Sequence, residues 1–498
     1  MEELDFVVGW HGVAVLIVWP LIILGMGIYI SRFVSKDSKH SFYVAGGGLG
    51  TIVLFFTLYA SQYSGNTVIG YAPQAYRIGF TWLQSIPFMI VVLAGYMLYA
   101  PRLHHISKKH DFITPVDWFQ HRFGSELVSF VAVLIMLYGL SNFLLEQLVA
   151  IGHAVAGLTA GVVPYQFGVL FLVVIMLLYE WLGGMQAVAI ADTFNGVLLL
   201  LGVFGLLFFS FTVIGGLGEA TEFAAQNFPD RVGAPDTTSA VNWLSMLMLT
   251  AFGATMYPHA IQRIYAAESE ATLKKSFKRM AWMPFLTTGV VFVVGIIGLK
   301  EFPGLGEMEA EELIGMMAAR IAGQSGFHYF LMLLLFCGIM GAIMSTADSI
   351  ILAISSLISN DLYARHINPD ASEKKQVLVG KIGGIVLVGL LILVAWFPPG
   401  TLYEIFVLKL EIMTQIAPAF MLGLYWERLN GKAVLVGMLV GSIIGGGMTI
   451  AGMGTIAGVH GGIIGLAVNF AICVVGSLLL PQSETEKELA EEYTQISA

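Results

Sequence analysis

The stretch Leu58-Tyr59-Ala60-Ser61-Gln62-Tyr63-Ser64-Gly65-Asn66-Thr67 lies in the middle of a long apolar run and consists largely of polar and small residues. Serine, asparagine and glycine weaken a continuous helix, because they favour other backbone conformations or bond to the backbone with their side chains. A helix break at membrane depth is tolerated only where it is buried in protein or borders a cavity. The stretch therefore predicts a discontinuous membrane helix beside an internal site.

The sequence around this stretch is that of a polytopic membrane protein. Of 498 residues, 57% are apolar and 11% are charged, whereas a soluble chain is nearer one half and one quarter. Runs of 18 or more nearly uncharged residues recur, and each is long enough to cross roughly 30 Å of hydrocarbon as a helix. The short alternating strands of a β-barrel are not seen. We predict an all-α fold with about thirteen spans, near residues 8–31, 48–72, 80–100, 125–150, 164–182, 188–214, 239–260, 280–300, 326–357, 377–398, 404–424, 433–453 and 460–480.

A second candidate break lies in the seventh predicted span, at Phe252-Gly253-Ala254-Thr255-Met256-Tyr257-Pro258-His259. Pro258 lacks a backbone donor and crowds the preceding turn. The two candidate breaks are five spans apart, and because five is odd, five-helix units that begin at spans 2 and 7 enter the bilayer from opposite faces. Paired interrupted helices in two inverted halves indicate a substrate and ion site at the midplane of a secondary transporter. Two ordinary kinks are the alternative.

Basic residues concentrate in the loops on one side of the predicted spans. These residues are Arg32, Lys36, Lys39, Arg102, Lys108, Lys109, Arg122, Arg263, Lys274, Lys275, Lys278, Arg279, Arg365, Lys374, Lys375, Arg428 and Lys432. The positive-inside rule then predicts an inner (cell) membrane protein with its N-terminus outside and its C-terminus in the cytoplasm. The first helix lacks a basic n-region, so it is expected to remain as a span. The acidic tail from Glu484 to Glu492 is interpreted as a solvated end.

One membrane domain over residues 1–498 is predicted. Its parts are an extra N-terminal helix and loop, the first inverted repeat, the second inverted repeat, two trailing helices and a cytoplasmic acidic tail, over residues 1–47, 48–238, 239–424, 425–480 and 481–498. Cys337 and Cys473 lie in apolar spans, which favours packing over a disulfide or metal site.

Oxygen-bearing side chains cluster in the ninth predicted span, within residues 341–349. Ser345, Asp348 and Ser349 share one helical face at positions i, i+3 and i+4, and a hard cation requires such oxygens. Hydroxyl groups that bond only to their own helix are the alternative. Asp348 favours an ion site, because an unpaired carboxylate roughly 13 Å inside its span is costly. Asp192 in the sixth span is expected to flank the same cation, unless it is a helix-end residue that reaches interfacial water.

Four further charged residues lie inside predicted spans, and intramembrane charges are functional candidates by default. Glu146 and Glu404 lie close to the outer boundary, where a solvated position and a solute contact are both open. Lys409 and Glu411 are too close in sequence to face the same way, so each requires its own partner. The sequence does not identify these partners.

Five motifs together resemble the sodium/solute symporter family, which includes sodium-coupled proline, pantothenate, monocarboxylate and sugar transporters. The motifs are the polar stretch Ala60–Gly70, the turn Gly183-Gly184-Met185-Gln186-Ala187 that leads to Asp192, the Pro258-His259 pair before Arg263, the segment Ala342–Asp348, and Gly423-Leu424-Tyr425-Trp426-Glu427-Arg428. Each motif alone is weakly specific, but their order matches over about residues 10–480. The resemblance implies a leucine-transporter-type fold, with a leading extra helix, a five-plus-five inverted repeat in spans 2–11 and two trailing helices.

The resemblance also implies Na+ as the coupling ion. Its ligands in the family are carbonyls of the first broken helix with a carbonyl and hydroxyls of the eighth core helix, which fall here on Ala60, Tyr63, Ala342, Ser345 and Thr346. Some members hold a further sodium ion, at positions that match Asp192, Ser345, Asp348 and Ser349.

A solute pocket is expected between the two broken helices, lined by Gln62, Ser64, Asn66, Phe252 and Tyr257. Proline-transporting members look as if they carry an acidic residue at the position of Gln62, which disfavours proline. The segments 257–263 and 426–428 look closer to pantothenate and monocarboxylate relatives. The resemblance therefore favours sodium-coupled symport of a small organic anion, such as a monocarboxylate or pantothenate, and a sodium/amino-acid (proline-like) symporter is the alternative.

The expected partners are a small-molecule solute, sodium ion and the lipid bilayer, with the chain acting as a monomer and without nucleic acid. An enzyme is not expected, because the sequence has no HExxH, Gly-x-Ser-x-Gly or phosphate-loop motif. A transporter-like sensor or a passive channel would reuse the same scaffold, but no kinase or receiver domain follows Leu480.

Overall fold

Helices make up most of the chain. The computed structural model describes residues 10–30, 32, 38–159 and 162–494, so Lys36 of the first basic loop lies outside the described residues. The α-helices are α1 (Trp10–Ile30), α2 (Lys39–Val44), α3 (Thr51–Gln62), α4 (Tyr71–Ile78), α5 (Ser85–Lys109), α6 (Pro115–Phe123), α7 (Glu126–Leu158), α8 (Tyr165–Phe209), α9 (Leu217–Asn227), α10 (Thr237–Gly253), α11 (Pro258–Ala266), α12 (Glu270–Met280), α13 (Met283–Leu286), α14 (Thr288–Glu301), α15 (Leu313–Ala322), α16 (Gly326–Ser356), α17 (Glu373–Ala395), α18 (Leu402–Met413), α19 (Ala417–Gly423), α20 (Gly431–Ile450), α21 (Gly461–Leu479) and α22 (Glu484–Thr494).

Short elements connect these helices. A two-stranded antiparallel hairpin joins α20 to α21 and consists of β1 (Thr455–Ile456) and β2 (Val459–His460). Short 3-10 or π-helical segments cover Ala45–Gly47, Asn66–Gly70, Gly79–Gln84, Ser210–Ile214, Pro229–Arg231, Ala254–Met256, Glu309–Glu312, Leu357–Ile367 and Thr414–Ile416.

The described part of the chain contains eleven helical segments that are long and apolar enough to cross a membrane. They are Val13–Ile30, Asn66–Lys109, Glu126–Gly157, Gly184–Ile214, Thr237–Met256, Met283–Glu301, Gly326–Ile367, Glu373–Ala395, Leu402–Gly423, Gly431–Ile450 and Gly461–Leu479. Two shorter apolar helices, Thr51–Gln62 and Tyr165–Leu178, fall within the second and fifth predicted spans. The prediction of an all-α polytopic membrane protein is confirmed, and the count of about thirteen crossings stays a prediction.

Both predicted helix breaks are present. The first follows Gln62, where Tyr63 leaves the helical region with φ −101° and ψ 79°, and the chain resumes as a π-helix over Asn66–Gly70. The second lies between α10 and α11, where Tyr257 is extended with φ −61° and ψ 120°. Pro258 then opens α11, a position where its missing donor is not needed.

A sharp bend at Gly184 divides α8 into two parts. Its φ of 56° and ψ of −162° are accessible essentially only to glycine. A Cβ at this position would lie 2.6 Å from the backbone oxygen of Phe42. The bend coincides with the predicted Gly183-Gly184 turn between the fifth and sixth spans.

The start of α18 assigns a structural role to Glu404. Its Oε2 accepts a hydrogen bond from the backbone N–H of Thr401 at 2.8 Å, and the Thr401 hydroxyl accepts from the backbone N–H of Glu404. This reciprocal arrangement is a capping box, which satisfies donors that a helix start leaves open. Glu404 therefore caps α18.

The sequence predicts that the acidic tail is a solvated end, and this prediction is wrong. The tail forms α22, and the side chains of Glu486, Ala490 and Tyr493 are buried against the bundle. The small residue at position 490 and the aromatic residue at position 493 share a helix face that the bundle covers, while Glu484, Glu488 and Glu491 stay exposed.

Candidate functional site

The first helix break releases backbone oxygens close to α16. Ala60 lies in the last turn of α3, where carbonyl groups have no partner within the helix. The Thr346 hydroxyl lies 2.7 Å from the Ala60 oxygen and 3.0 Å from the Ala342 oxygen, and all three residues are buried. The Thr346 hydroxyl is thus within hydrogen-bond distance of two other residues predicted to bind sodium, Ala60 and Ala342. Tyr63 follows directly as the residue where the backbone leaves α3.

Ser345 is also buried, but its hydroxyl faces a carboxylate. It donates a hydrogen bond to Oδ1 of Asp192, while the Thr57 hydroxyl donates to Oδ2 of the same residue. The Ser349 hydroxyl returns to its own helix and donates to the backbone oxygen of Ser345 at 2.6 Å. The structure therefore brings α3, α8 and α16 together around Asp192, which is fully buried and is not an interfacial helix-end residue.

A buried arginine completes this cluster. Nη2 of Arg263 lies 3.2 Å from Oδ2 of Asp192 and 2.5 Å from the Ser349 hydroxyl, and both charged residues are fully buried. Nε of Arg263 donates to the Thr57 hydroxyl at 2.8 Å, and Nη1 donates to the backbone oxygen of His259 at 2.9 Å. The guanidinium thus links α11 to α3, α8 and α16.

Arg263 was assigned to a cytoplasmic loop by the sequence, and this assignment is wrong. The seventh predicted span ends at residue 260, but α11 continues to Ala266 and carries Arg263 into the bundle. Pro258 is a sequence signal for a buried Arg263, because proline favours the first position of a helix. A helix that begins at Pro258 has made only about one and a half turns by residue 263 and therefore includes Arg263. A fixed cation now competes for two of the residues expected at a second sodium site, Asp192 and Ser349. With Asp348 buried nearby on α16, that second site stays a prediction.

A second buried ion pair lies near the π-helical segment after the first break. Lys409 on α18 donates from Nζ to Oε2 of Glu146 on α7, and each residue is at most 1% exposed. The Lys409 ammonium lies 3.4 Å from the centre of the Phe143 ring and 5.5 Å from that of Tyr257, a geometry that attracts a cation to the ring faces. Asn66 faces Glu146 from the broken helix. Of the two alternatives that the sequence leaves open for Glu146, the solvated position is therefore wrong.

Lys409 and Glu411 each have their own partner, as their spacing required. Oε1 of Glu411 lies 3.0 Å from Nδ1 of His460, and its Oε2 accepts from the backbone N–H of Gly462. This contact joins α18 to the β-hairpin at the start of α21. Glu411 thus serves the packing of the last two membrane helices.

Four of the five predicted solute residues surround the two breaks. Gln62 donates from Nε2 to the Tyr96 hydroxyl at 2.6 Å, and Ser64 is buried beside it. Within the described residues, Oδ1 of Asn66 and the Tyr257 hydroxyl are buried without a hydrogen-bond partner. Such atoms cost roughly 1–3 kcal/mol each, so they indicate where a polar ligand would be stabilised.

Phe252 lies apart from this group. Its ring packs edge-to-face on Phe470 of α21, with 5.9 Å between the ring centres. Its role in the solute pocket stays a prediction.

A layer of aromatic side chains links the Lys409–Glu146 pair to a cavity of about 620 Å³ whose lining includes Gln74, Arg77, Gln84, Arg231 and Tyr403. In that layer the Trp82 ring lies 5.0 Å from Tyr71 and 5.3 Å from Tyr403. Tyr403 is the second residue of α18, so the cavity lies beside the start of this helix.

An ion pair lies beside this cavity. Nη2 of Arg77 lies 2.6 Å from Oε1 of Glu311 in the loop between α14 and α15. Burial raises the pKa of the Glu311 carboxyl to about 7, although Arg77 favours its charged form.

Comparisons with known proteins agree on one family. The family model described as "Sodium:solute symporter family" matches residues 42–441. The osmoregulated proline transporter of Bacillus subtilis (strain 168) is 27% identical over an alignment of 440 residues that covers 84% of this chain and 87% of the transporter. The sodium/pantothenate symporter of Escherichia coli (strain K12) is 27% identical over an alignment of 438 residues that covers 86% of this chain and 88% of the symporter.

A solved structure with a similar fold is that of a sodium-coupled sialic acid symporter in a substrate-bound outward-open state. It superposes with a TM-score of 0.77 at 19% identity and covers 96% of this chain and 99% of its own. The predicted leucine-transporter type of fold is confirmed by this likeness.

Proposed function

This chain belongs to the sodium:solute symporter family, and from that premise we propose that it moves a small solute carrying a carboxylate group into the cell together with sodium. Sodium-coupled symport across a membrane is common to the chain and its relatives. The proposal concerns the solute class and the residues that bind it. The observation that carries it is the Lys409 ammonium, buried beside Glu146 at the first helix break.

The proposed sodium ligands are the carbonyl oxygens of Ala60, Tyr63 and Ala342 with the hydroxyls of Ser345 and Thr346. Their support is the short distance from the Thr346 hydroxyl to the oxygens of residues 60 and 342. Sodium is a hard cation that suits neutral oxygens. Its charge would replace the Thr346 hydrogen bond as the link between α3 and α16, and so fix the broken helix.

The proposed solute pocket lies at Gln62, Ser64, Asn66 and Tyr257, with Lys409 as the cationic contact. An ammonium in a low-dielectric pocket binds a carboxylate through a charge-assisted hydrogen bond. Proline and pantothenate, named for the two curated relatives, both carry a carboxylate. Glu146 holds Lys409 in position before the solute arrives.

A proline-like amino acid is the second candidate solute, and Glu146 favours it. A zwitterion would place its carboxylate at Lys409 and its ammonium at Glu146, so that each charged group of the solute would contact an opposite charge of the protein. An organic anion would instead leave Glu146 to the Asn66 side chain.

We further propose a monomer in the inner membrane, with the N-terminus outside and the C-terminus in the cytoplasm. The basic character of the loops near α5, α6 and α12 supports this orientation. The domain division proposed from the sequence, with repeats over 48–238 and 239–424, fits the positions of the two breaks.

Purified protein in liposomes with an imposed sodium gradient tests the proposal. Pantothenate, lactate, pyruvate and proline are offered, each acid beside a neutral analogue such as panthenol for pantothenate and propane-1,2-diol for lactate. We expect sodium-dependent accumulation of at least one acid without accumulation of its neutral analogue. Equal uptake of the acid and its analogue would refute the carboxylate contact, and uptake without sodium dependence would refute the coupling.

A further inference from the structure

The C-terminal helix brings a third ligand to two histidines of the bundle. The helix α22 lies across the ends of α5 and α6, where the backbone oxygen of Tyr493 accepts from Nη2 of Arg102 at 2.7 Å. Glu492 then reaches His110, the residue after α5, and His121 of α6. Neither histidine takes part in the sodium or solute site.

The geometry of these three side chains fits one small cation. Nε2 of His110 lies 2.8 Å from Oε1 of Glu492, and Nε2 of His121 lies 3.4 Å from Oε2 of the same carboxylate. The centres of the two imidazole rings are 4.0 Å apart. One ligand atom from each residue lies within 4.8 Å of the other two, a span that small shifts of the partly exposed side chains would close around a metal ion.

A neighbouring tyrosine orients one of the histidines. Nδ1 of His121 lies 2.8 Å from the hydroxyl of Tyr493, which is buried. With Nδ1 engaged in this way, Nε2 is the ring nitrogen that faces Glu492. Metal-binding histidines usually have such an outer partner on their second nitrogen, which fixes the ring for coordination.

Lys109 is a cation that competes with a metal ion for the Glu492 carboxylate. Its Nζ lies 2.5 Å from Oε1 of Glu492, but its side chain is 60% exposed. An exposed ion pair of this kind contributes about 0–1 kcal/mol, so Lys109 would move into water when a metal ion binds.

We propose that His110, His121 and Glu492 bind a divalent transition metal ion of the zinc class, and that this ion fastens α22 to the ends of α5 and α6. Two imidazoles and one carboxylate are a ligand set that zinc takes, with a water molecule in the fourth position. Because the carboxylate comes from α22, the site exists only when this helix is docked. The metal ion therefore stabilises the docked helix by its binding free energy.

Zinc binding to the full chain in detergent micelles tests the proposal. The chain carries no histidine tag, and a chelator first removes any bound metal. Competition with a zinc-sensitive dye is expected to show one zinc ion per chain, with the affinity lowered by roughly tenfold or more in Glu492→Gln and in His110→Gln. His105→Gln and Glu488→Gln are matched controls, since both side chains are exposed on the same elements without belonging to the cluster, and these variants are expected to bind as the wild type does.

Limited proteolysis gives a second readout that does not depend on transport. Zinc is expected to slow the removal of α22 in the wild type and to have no such effect in Glu492→Gln. Equal zinc affinity in the wild type and in both variants, or zinc protection that survives in Glu492→Gln, would overturn the site.

Discussion

Replacement of Lys409 by methionine tests whether the Lys409–Glu146 pair is both a packing element and a solute contact. Both side chains are at most 1% exposed. Removal of one partner leaves an uncompensated buried charge, which typically costs about 3–5 kcal/mol. We therefore expect Lys409→Met to lower the thermal stability of the purified protein strongly and to abolish uptake.

The double variant Glu146→Gln with Lys409→Met separates the two roles. Removal of both charges leaves no unpaired ion, so most of the lost stability is expected to return. The carboxylate of the solute would still lack its cation, so uptake is expected to remain absent. Thermal unfolding in micelles measures the first effect and sodium-driven uptake by liposomes measures the second.

An exposed ion pair provides the matched control. Nζ of Lys300 lies 2.5 Å from Oε2 of Glu219, with side chains that are 30% and 65% exposed. Lys300→Met is expected to change the stability by less than about 1 kcal/mol. Wild-type stability in Lys409→Met, or normal transport of a carboxylate solute by the double variant, would refute these two roles of Lys409.

Three further variants test other parts of the site. Thr346→Ala should raise the sodium concentration for half-maximal uptake roughly tenfold or more, because a ligand oxygen is lost. Thr346→Ser keeps the hydroxyl and should keep the wild-type value. Identical sodium dependence in the two variants would exclude the Thr346 hydroxyl as a sodium ligand. The pKa of Glu311 is raised from 4.5 to about 7 in the folded chain, so its stabilising effect is present below pH 4.5 and is lost as the pH rises to about 7. Relative to Glu311→Gln, the free energy of unfolding of the wild type should fall by up to about 3 kcal/mol between pH 4.5 and pH 8, as measured by thermal unfolding. A difference in stability between the two proteins that does not change with pH would refute the assigned pKa. Gly184→Ala should destabilise by about 1–3 kcal/mol because its φ is positive, whereas Gly205→Ala, where a Cβ meets nothing within 4 Å, should not; equal melting temperatures would contradict this.

The helix breaks were predictable because their cause is local. Glycine, serine and asparagine near residue 65 and proline at 258 change the backbone energy whatever lies around them. The face shared by Ser345 and Ser349 follows equally from helix geometry. The fold class and the approximate place of the sodium site depend on these local signals.

The charge partners were not predictable because they come from distant parts of the chain. Glu146 and Lys409 are 263 residues apart, and Asp192 and Arg263 are 71 apart. Taken alone, Glu146 and Asp192 resemble boundary residues, Arg263 resembles a loop cation, and Lys409 is a charge inside a span without an identified partner. Only the packed helices bring them together. The docking of α22 was missed for the same reason, since Tyr493 gains its partners from α5 and α6.

The two buried pairs also bear on why sodium and solute would move together. Arg263 with Asp192 and Lys409 with Glu146 each add no net charge, so a sodium ion at the first break brings a positive charge that these pairs leave unbalanced. A carboxylate bound at Lys409 supplies the opposite charge a few residues further along the same broken helix. As a general scale, opposite unit charges attract by about 2 kcal/mol at a separation of about 8 Å and an effective dielectric constant near 20. By linkage each ligand would then raise the affinity for the other by the same factor of roughly thirty, which is the differential binding that coupled transport requires.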